Sequence, residues 1–362
     1  MLETRWQVTT LRGECRKSYI KNISAMLVLL ILFSPGRVTR CQRPATMISC
    51  RNIRMPCFGL VAFISVMALY YHWDMPTARE REQELRKTIL RDMCKEEKET
   101  FSEEKNKRIN GILHNLLVDD KQGIIYCFIP KVACGNWKRF MQVLKHGEPY
   151  PDPKDIPPGV AHNPNGLTSL ASFPELEREA KLKQYTKFMF VRDPFVRLIS
   201  AFREKFLKIN QYYYQYYGRV LLQRYENQPN PPLKVTEAFA LGIRPSFNSF
   251  VQYLLDTKKN KHAFDPHWNE FHQQCQPCFI EYDFIGHQET LTEDALQLIT
   301  TLNLEEHIKF PSAYENMTNP SSVSDWFKDV PLEDRRKLYE IYERDYELFG
   351  YETPHSLLNN TL

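Results

Sequence analysis

Two stretches of the 362-residue chain bring together side chains that could hold and activate an anion. In the first, the apolar run IIYCFI gives way to Pro130-Lys131-Val132-Ala133-Cys134-Gly135-Asn136-Trp137-Lys138-Arg139. Small side chains at the start of a helix let backbone N–H groups close on an anion, and Lys131 adds a point charge. In the second, FMFV is followed by Arg192-Asp193-Pro194-Phe195-Val196-Arg197-Leu198-Ile199-Ser200. Here a forked guanidinium stands at a strand end, and a hydroxyl follows about two helical turns later, which suits a second phosphate clamp. The pattern GxxxxGK[ST] is absent, which disfavours an ordinary nucleotidase loop. Each stretch alone also fits a helix cap with surface ion pairs.

These groups need strands and helices to position them. Apolar runs at residues 124–129, 188–191 and 282–285 read as buried strands. Helical spacing follows each: from about Gly135, over residues 195–208, and from about Thr292, with Thr292 as its cap. A last helix covers residues 332–348, and residues 119–123 read as a turn. Strands alternating with helices predict an α/β fold with a parallel sheet flanked by helices, in one domain of residues 112–362. Residues 74–111 are rich in Glu, Lys and Arg and read as a charged, solvated helical stem. Leu85, Ile89 and Met93 form a thin stripe on it, suited to a spacer or to pairing with a second copy as a homodimer.

The charge is divided along the chain. Net charge is +4, but residues 1–54 hold ten Lys/Arg against Glu3 and Glu14, so the remaining 308 residues carry a net −4. A nucleic-acid-binding body is excluded on that ground. Residues 55–71 are uncharged and apolar and are closed by His72 and Trp73. Seventeen residues span about 26 Å as a helix, near the short limit for a bilayer. Arg51 and Arg54 precede the run, and Asp74, Glu80 and Glu82 follow. The expectation is a transmembrane signal anchor at residues 55–73, with residues 1–54 a cytosolic basic tail and the body lumenal. Residues 23–34 are too short to span, and Met47 and Met55 are alternative starts, so part of residues 1–46 reads equally as an N-terminal extension.

Five of nine cysteines lie beyond the anchor, too few for a disulfide scaffold and odd in number. Cys275-Gln276-Pro277-Cys278 lacks a second ligand pair at zinc spacing, so no metal is expected, and disulfide pairing within the motif or to another Cys fits a lumen better. Asn316 and Asn359 open glycosylation sequons. The run YYYQYY at residues 212–217 could meet sugar rings, or could pack as an amphipathic helix.

Taken in order, PKVAC-x-NWKR and FVRDPFVRLISAF resemble the Golgi carbohydrate sulfotransferases that use 3′-phosphoadenosine-5′-phosphosulfate (PAPS). The resemblance is to the group with the N-acetylgalactosamine (GalNAc) 4-O-sulfotransferases, the chondroitin and dermatan 4-O-sulfotransferases and the natural-killer-epitope sulfotransferase. It runs from about Leu116 to Leu358 and takes in CQPC, YDFIG at residues 282–286, and LFGY at residues 348–351. It implies a P-loop-like PAPS-dependent fold, a Golgi membrane location with a single-pass type II topology, and a GalNAc-containing glycan as acceptor. Pro130, Lys131, Val132, Ala133, Cys134, Gly135 and Asn136 would then bind the 5′-phosphosulfate. Arg192, Asp193, Pro194, Phe195, Val196, Arg197, Leu198, Ile199 and Ser200 would bind the 3′-phosphate, with Arg192 and Ser200 the principal ligands. The second motif and Asp325-Trp326-Phe327 resemble most the enzymes acting on terminal GalNAc of glycoprotein glycans; sulfation of GalNAc within chondroitin or dermatan is the alternative. The family usually has a hydroxyl residue where this chain has Gly135, a missing hydrogen bond worth about 1–3 kcal/mol if nothing replaces it. A catalytically weak glycan-binding protein is the alternative of another class.

Sulfuryl transfer implies Lys131 as the group that neutralises developing charge, and a base for the acceptor hydroxyl. His162, in the proline-rich loop, and His267, in Asp265-Pro266-His267-Trp268, are the candidates, with Glu289 and Asp193 behind them.

Overall fold

A computed structural model describes residues 76–95, 102–163, 165–311 and 322–359, together with Met67. The basic tail, the rest of the proposed anchor at residues 55–73, residues 96–101 of the stem and the Asn316 sequon lie outside the described residues. Among those described, no helix is long and apolar enough to cross a membrane.

The centre is a four-stranded sheet in the order β1 (Leu116–Asp119), β2 (Ile124–Cys127), β3 (Thr186–Val191), β4 (Phe284–His287). Strands β2, β3 and β4 are parallel, with Tyr126 opposite Phe188 and Phe188 opposite Phe284. The expectation of a wholly parallel sheet is corrected at β1, which runs antiparallel to β2. The two are joined by the short turn at residues 120–123, in which Asp119 Oδ1 accepts from the Gln122 amide at 2.8 Å. A parallel connection would need a crossover of a dozen or more residues, so this turn dictates the antiparallel arrangement.

Helices flank the sheet. The longer ones are α1 (Ala78–Met93), α2 (Ser102–Ile112), α3 (Cys134–His146), α4 (Glu175–Gln184), α5 (Pro194–Phe206), α6 (Phe247–Lys259), α7 (Leu291–Thr301) and α8 (Leu332–Leu348). Strands β2 and β3 are buried over nearly every residue, as strands covered on both faces must be. Trp137 on α3 is fully buried against Phe188 and Phe190, at ring distances of 5.1 and 4.5 Å. Gly286 is fixed by packing: a Cβ there would stand 2.1 Å from Phe190 Cε1. A second core gathers Phe195, Leu198, Ile199 and Phe202 of α5 with Phe250, Trp268, Tyr342 and Tyr346. The cap expected at Thr292 is corrected: Thr290 is the N-cap of α7, and Thr292 lies within the helix.

The stem expectation is also corrected over its first helix. Helix α1 opens with a capping box between Thr77 and Glu80. Gln83 then pairs with both backbone groups of Ile285, its Oε1 accepting at 3.1 Å and its Nε2 donating at 3.0 Å. That amide covers the outer edge of β4, which would otherwise present unpaired backbone groups. Arg86, 6% exposed, donates to Ile285 O at 3.0 Å and to Asp294 Oδ2 at 2.7 Å. Leu90 is buried, and a Cys94–Cys278 disulfide follows the helix. Of the expected dimer stripe, Met93 packs on this core and Ile89 against Gly350, while Leu85 stays exposed. Helix α1 is thus an element of the domain rather than a spacer.

Candidate functional site

Strand β2 ends at Cys127, and residues 128–133 carry the chain to α3. Lys131 and Ala133 both take left-handed backbone conformations, with φ of 77° and 60°. Non-glycine residues rarely do so, and such strain persists only where surroundings enforce it. Two arginines of the second motif supply part of that enforcement. Arg197 Nε donates to Pro130 O at 3.0 Å, and Arg192 Nη1 reaches Lys131 O at 3.5 Å. Ala133, the N-cap of α3, offers no side-chain cap, and among the described residues the amides of Val132, Ala133, Cys134 and Gly135 donate to no turn or loop carbonyl. They remain available to an anion.

Lys131 forms an ion pair with Glu204 on α5. Burial pulls the Lys131 ammonium below its ordinary value, and Glu204 offsets part of that effect. Burial alone would raise the Glu204 carboxyl, but Lys131 and Lys205 hold it down at about 2. Glu204 is therefore charged at neutral pH. Asn136 is 1% exposed, and its Nδ2 has no partner among the described residues. An orphaned donor beside free amides fits an anionic ligand, so the first motif suits the phosphosulfate that the resemblance implies.

The second motif is built differently. Asp193 caps α5, its Oδ1 accepting from the Val196 amide at 2.8 Å, and Pro194 stands in the first turn. The Asp193 amide donates to Glu289 Oε1 at 2.9 Å, while Glu289 Oε2 accepts from the Tyr351 hydroxyl at 3.0 Å. Asp193 thus caps its helix, the role its position favours over that of a base, and Glu289, the other alternative base, holds the motif's backbone. Arg192 is 5% exposed, with its guanidinium pulled below its ordinary value by burial and partly restored by Glu289. Ser200 is half-buried on α5.

Not every expected ligand can bring its side chain to one. The side chains of Phe195, Leu198 and Ile199 belong to the second core, that of Val132 to the first, and those of Pro194 and Val196 are buried. Arg197 is fully buried, and besides Pro130 O it donates to Asn269 O at 2.7 Å and Pro266 O at 2.8 Å. Its role is to brace three loops. The reason is amphipathic spacing: α5 turns those residues inward and leaves Ser200 and Glu204, four apart, on another face.

Two histidines lie within electrostatic reach of Glu204 and Lys205. His162 follows a short helix, Pro158–Ala161, and is exposed at the surface. Partial burial and the charges of Lys138 and Arg139 lower its pKa. His267 is more closely held: its Nδ1 lies 2.7 Å from Asp265 Oδ1 and 3.0 Å from the Tyr213 hydroxyl. An ionised carboxylate only accepts, so Nδ1 carries the proton and Nε2 keeps its lone pair. Burial lowers the His267 pKa, and Asp265 returns part of the shift.

Sequence reasoning missed Glu204 and the orienting role of Asp265. Their signals were the spacing Ser200-x-x-x-Glu204 and an Asp two residues before His267. Cys127 pairs with Cys275 and Cys94 with Cys278, so CQPC is a pair of long-range disulfide ends, while Cys134 is a free thiol at the start of α3. Among the described residues no cluster could hold a metal ion. Asn359 is exposed.

Comparison with known proteins adds to this geometry. The Sulfotransferase family matches residues 114–352. Mouse carbohydrate sulfotransferase 12 is 43% identical over 312 residues, covering 80% of this chain and 74% of the relative. Rat carbohydrate sulfotransferase 11 is 34% identical over 277 residues, covering 76% and 77%. Human carbohydrate sulfotransferase 9 is also 34% identical, covering 76% of this chain and 61% of its own. No solved structure matches significantly.

Proposed function

Because this chain belongs to the sulfotransferase family and its relatives are carbohydrate sulfotransferases, we propose that it transfers sulfate from PAPS to O4 of GalNAc, at the terminus of glycoprotein glycans. The observation that carries the reading is the strained Lys131 loop, whose carbonyls are held by Arg192 and Arg197 while its amides donate to no turn or loop carbonyl among the described residues. When bound, PAPS supplies an electrophilic sulfur and an anionic leaving group.

The chain's own residues then divide the work. The amides of residues 132–135 and Lys131 Nζ bind the anion, and Lys131 exchanges its Glu204 partner for the developing charge. Arg192 and Ser200 hold the second phosphate. We assign the base to His267 rather than His162, because Asp265 fixes its ring and directs its lone pair to Nε2. His267 Nε2 takes the acceptor hydroxyl's proton, and the Asp265 carboxylate stabilises the imidazolium formed.

A Golgi membrane location with a lumenal body is part of the proposal. It is supported by the apolar run at residues 55–71 and by two disulfides, which persist in oxidising compartments.

The test is sulfate transfer from labelled PAPS by the full chain, offered GalNAcβ1-4GlcNAc glycans, desulfated chondroitin and desulfated dermatan side by side, with the sulfate mapped. Label on O4 of terminal GalNAc upholds the proposal. Label on the polymers alone moves it to the alternative, and PAPS binding without transfer to any acceptor leaves a glycan-binding protein.

A further inference from the structure

The run at residues 212–217 contributes more than one tyrosine to core packing. Residues Gln211–Tyr213 form one helical turn, and Tyr214–Gly218 continue it as a π-helix. The wider turn brings residues four apart nearly into line. Tyr213 and Tyr217 stack at 5.7 Å, and Tyr212 and Tyr216 lie at 4.9 Å. The inner pair faces the site: both hydroxyls reach Asp265 Oδ2 at 3.4 Å, and Tyr213 meets His267 with ring centroids 5.5 Å apart. The outer pair is 58% and 59% exposed, and Tyr212 meets Tyr213 edge-on at 5.3 Å. An aromatic path therefore leads from His267 through Tyr213 to an exposed ring pair.

The platform is held firmly. Asn210 Oδ1 accepts from the Tyr213 amide at 3.2 Å, and Gln211 exchanges two hydrogen bonds with the segment at residues 233–235. Tyr214 donates to Pro232 O at 2.9 Å. Rings fixed in this way lose little freedom on binding.

We propose that Tyr212 and Tyr216 form an acceptor subsite that stacks on a sugar ring neighbouring the one sulfated. The inference rests on the carbohydrate reading above and extends it: the acceptor is recognised beyond its reacting residue. A pyranose has an apolar C–H face and hydroxyl edges, matching an exposed aromatic face with polar tips. Continuity with the His267–Asp265 pair favours this occupant over a lipid surface or a protein partner, neither of which has reason to begin beside a catalytic base.

The test compares Y212A/Y216A with the unmodified full chain on two acceptors, a GalNAc-terminated oligosaccharide and the methyl glycoside of GalNAc. The acceptor KM should rise about ten-fold on the oligosaccharide, with kcat, the KM for PAPS and the methyl-glycoside KM unchanged. Y212F/Y216F should stay within about two-fold of the unmodified chain, because a ring face needs no hydroxyl. An oligosaccharide KM unmoved by the alanine pair, or equally raised by the phenylalanine pair, overturns the subsite. So does a loss seen on an intact glycoprotein but absent on its released glycan, which points to a protein partner. If the unmodified chain sulfates no glycan, the proposed function fails separately. Saturation-transfer NMR with the same oligosaccharide then decides: saturation of the sugar-ring protons that disappears in Y212A/Y216A upholds the subsite, and saturation that persists there overturns it.

Discussion

The two motifs proposed to hold anions are built by opposite means. The second takes most of its support locally, with Glu289 as a distant partner of one amide: Asp193 caps its own helix, Pro194 occupies a first-turn position that needs no amide donor, and β3 runs straight into it. The first has no side-chain cap, puts two non-glycine residues at positive φ, and has carbonyls held by side chains more than sixty residues away. A capped helix start can thus be written largely in a short string of residues. A loop that must present several amides and a lysine together needs support from elsewhere in the fold.

That contrast can be tested by breaking each side of it. Lys131→Ala should lower kcat by 10²–10³-fold, about 3–4 kcal/mol of transition-state stabilisation, with the folded state retained by circular dichroism. A variant within ten-fold of the original would remove Lys131 from the chemistry. Arg197→Ala leaves the carbonyls of Pro130, Pro266 and Asn269 without their donor. It should cost about 3 kcal/mol in denaturant unfolding and weaken PAPS binding, although Arg197 touches no ligand.

Titration sharpens the same comparison at His267. Its folded pKa lies below the ordinary 6.5, so the ring stays neutral as pH falls through 6.5 and is protonated only further down. The acid limb of kcat/KM should therefore lie below pH 6.5 and move upward in Tyr213→Ala, which opens the ring to water, if burial sets it. The neutral ring's contribution to stability is complete above 6.5 and is lost as pH falls through the lowered value.

Smaller effects separate the two motifs further. Gly135→Thr adds a hydroxyl at the start of α3 and should lower the KM for PAPS by up to about ten-fold. No gain would mean that free amides already supply the hydrogen bond. Asp193→Ala removes a local cap together with the carboxyl's interactions with Arg192 and Tyr346, and should cost about 1–2 kcal/mol of stability, seen as a small shift in Tm. A loss as large as that of Arg197→Ala would erase the distinction drawn between the motifs.

Much of the architecture was legible. Strands at residues 124–129, 188–191 and 282–285 and the helices after them follow from apolar runs and spacing, and the observed elements differ by a few residues at their ends. The β1 strand was not, because four residues against a turn give little periodicity to read. Helix α1 was misjudged because its packing is made by Gln83 and Arg86, whose side chains read as solvated until Ile285 and Asp294 meet them.

By itself the sequence determined the order of strands and helices, the two cationic motifs and the aromatic run, since each depends on near neighbours along the chain. Only the tertiary structure decided which members of those motifs turn into the core and which do not. Amphipathic packing turned Phe195, Leu198 and Ile199 into the core and made Arg197 a brace. It paired Lys131 with Glu204 and Asp265 with His267, and divided the tyrosines into an inner and an outer pair. These outcomes are meetings between distant groups, and whether a polar side chain meets water or a partner is fixed only when the chain has closed around it.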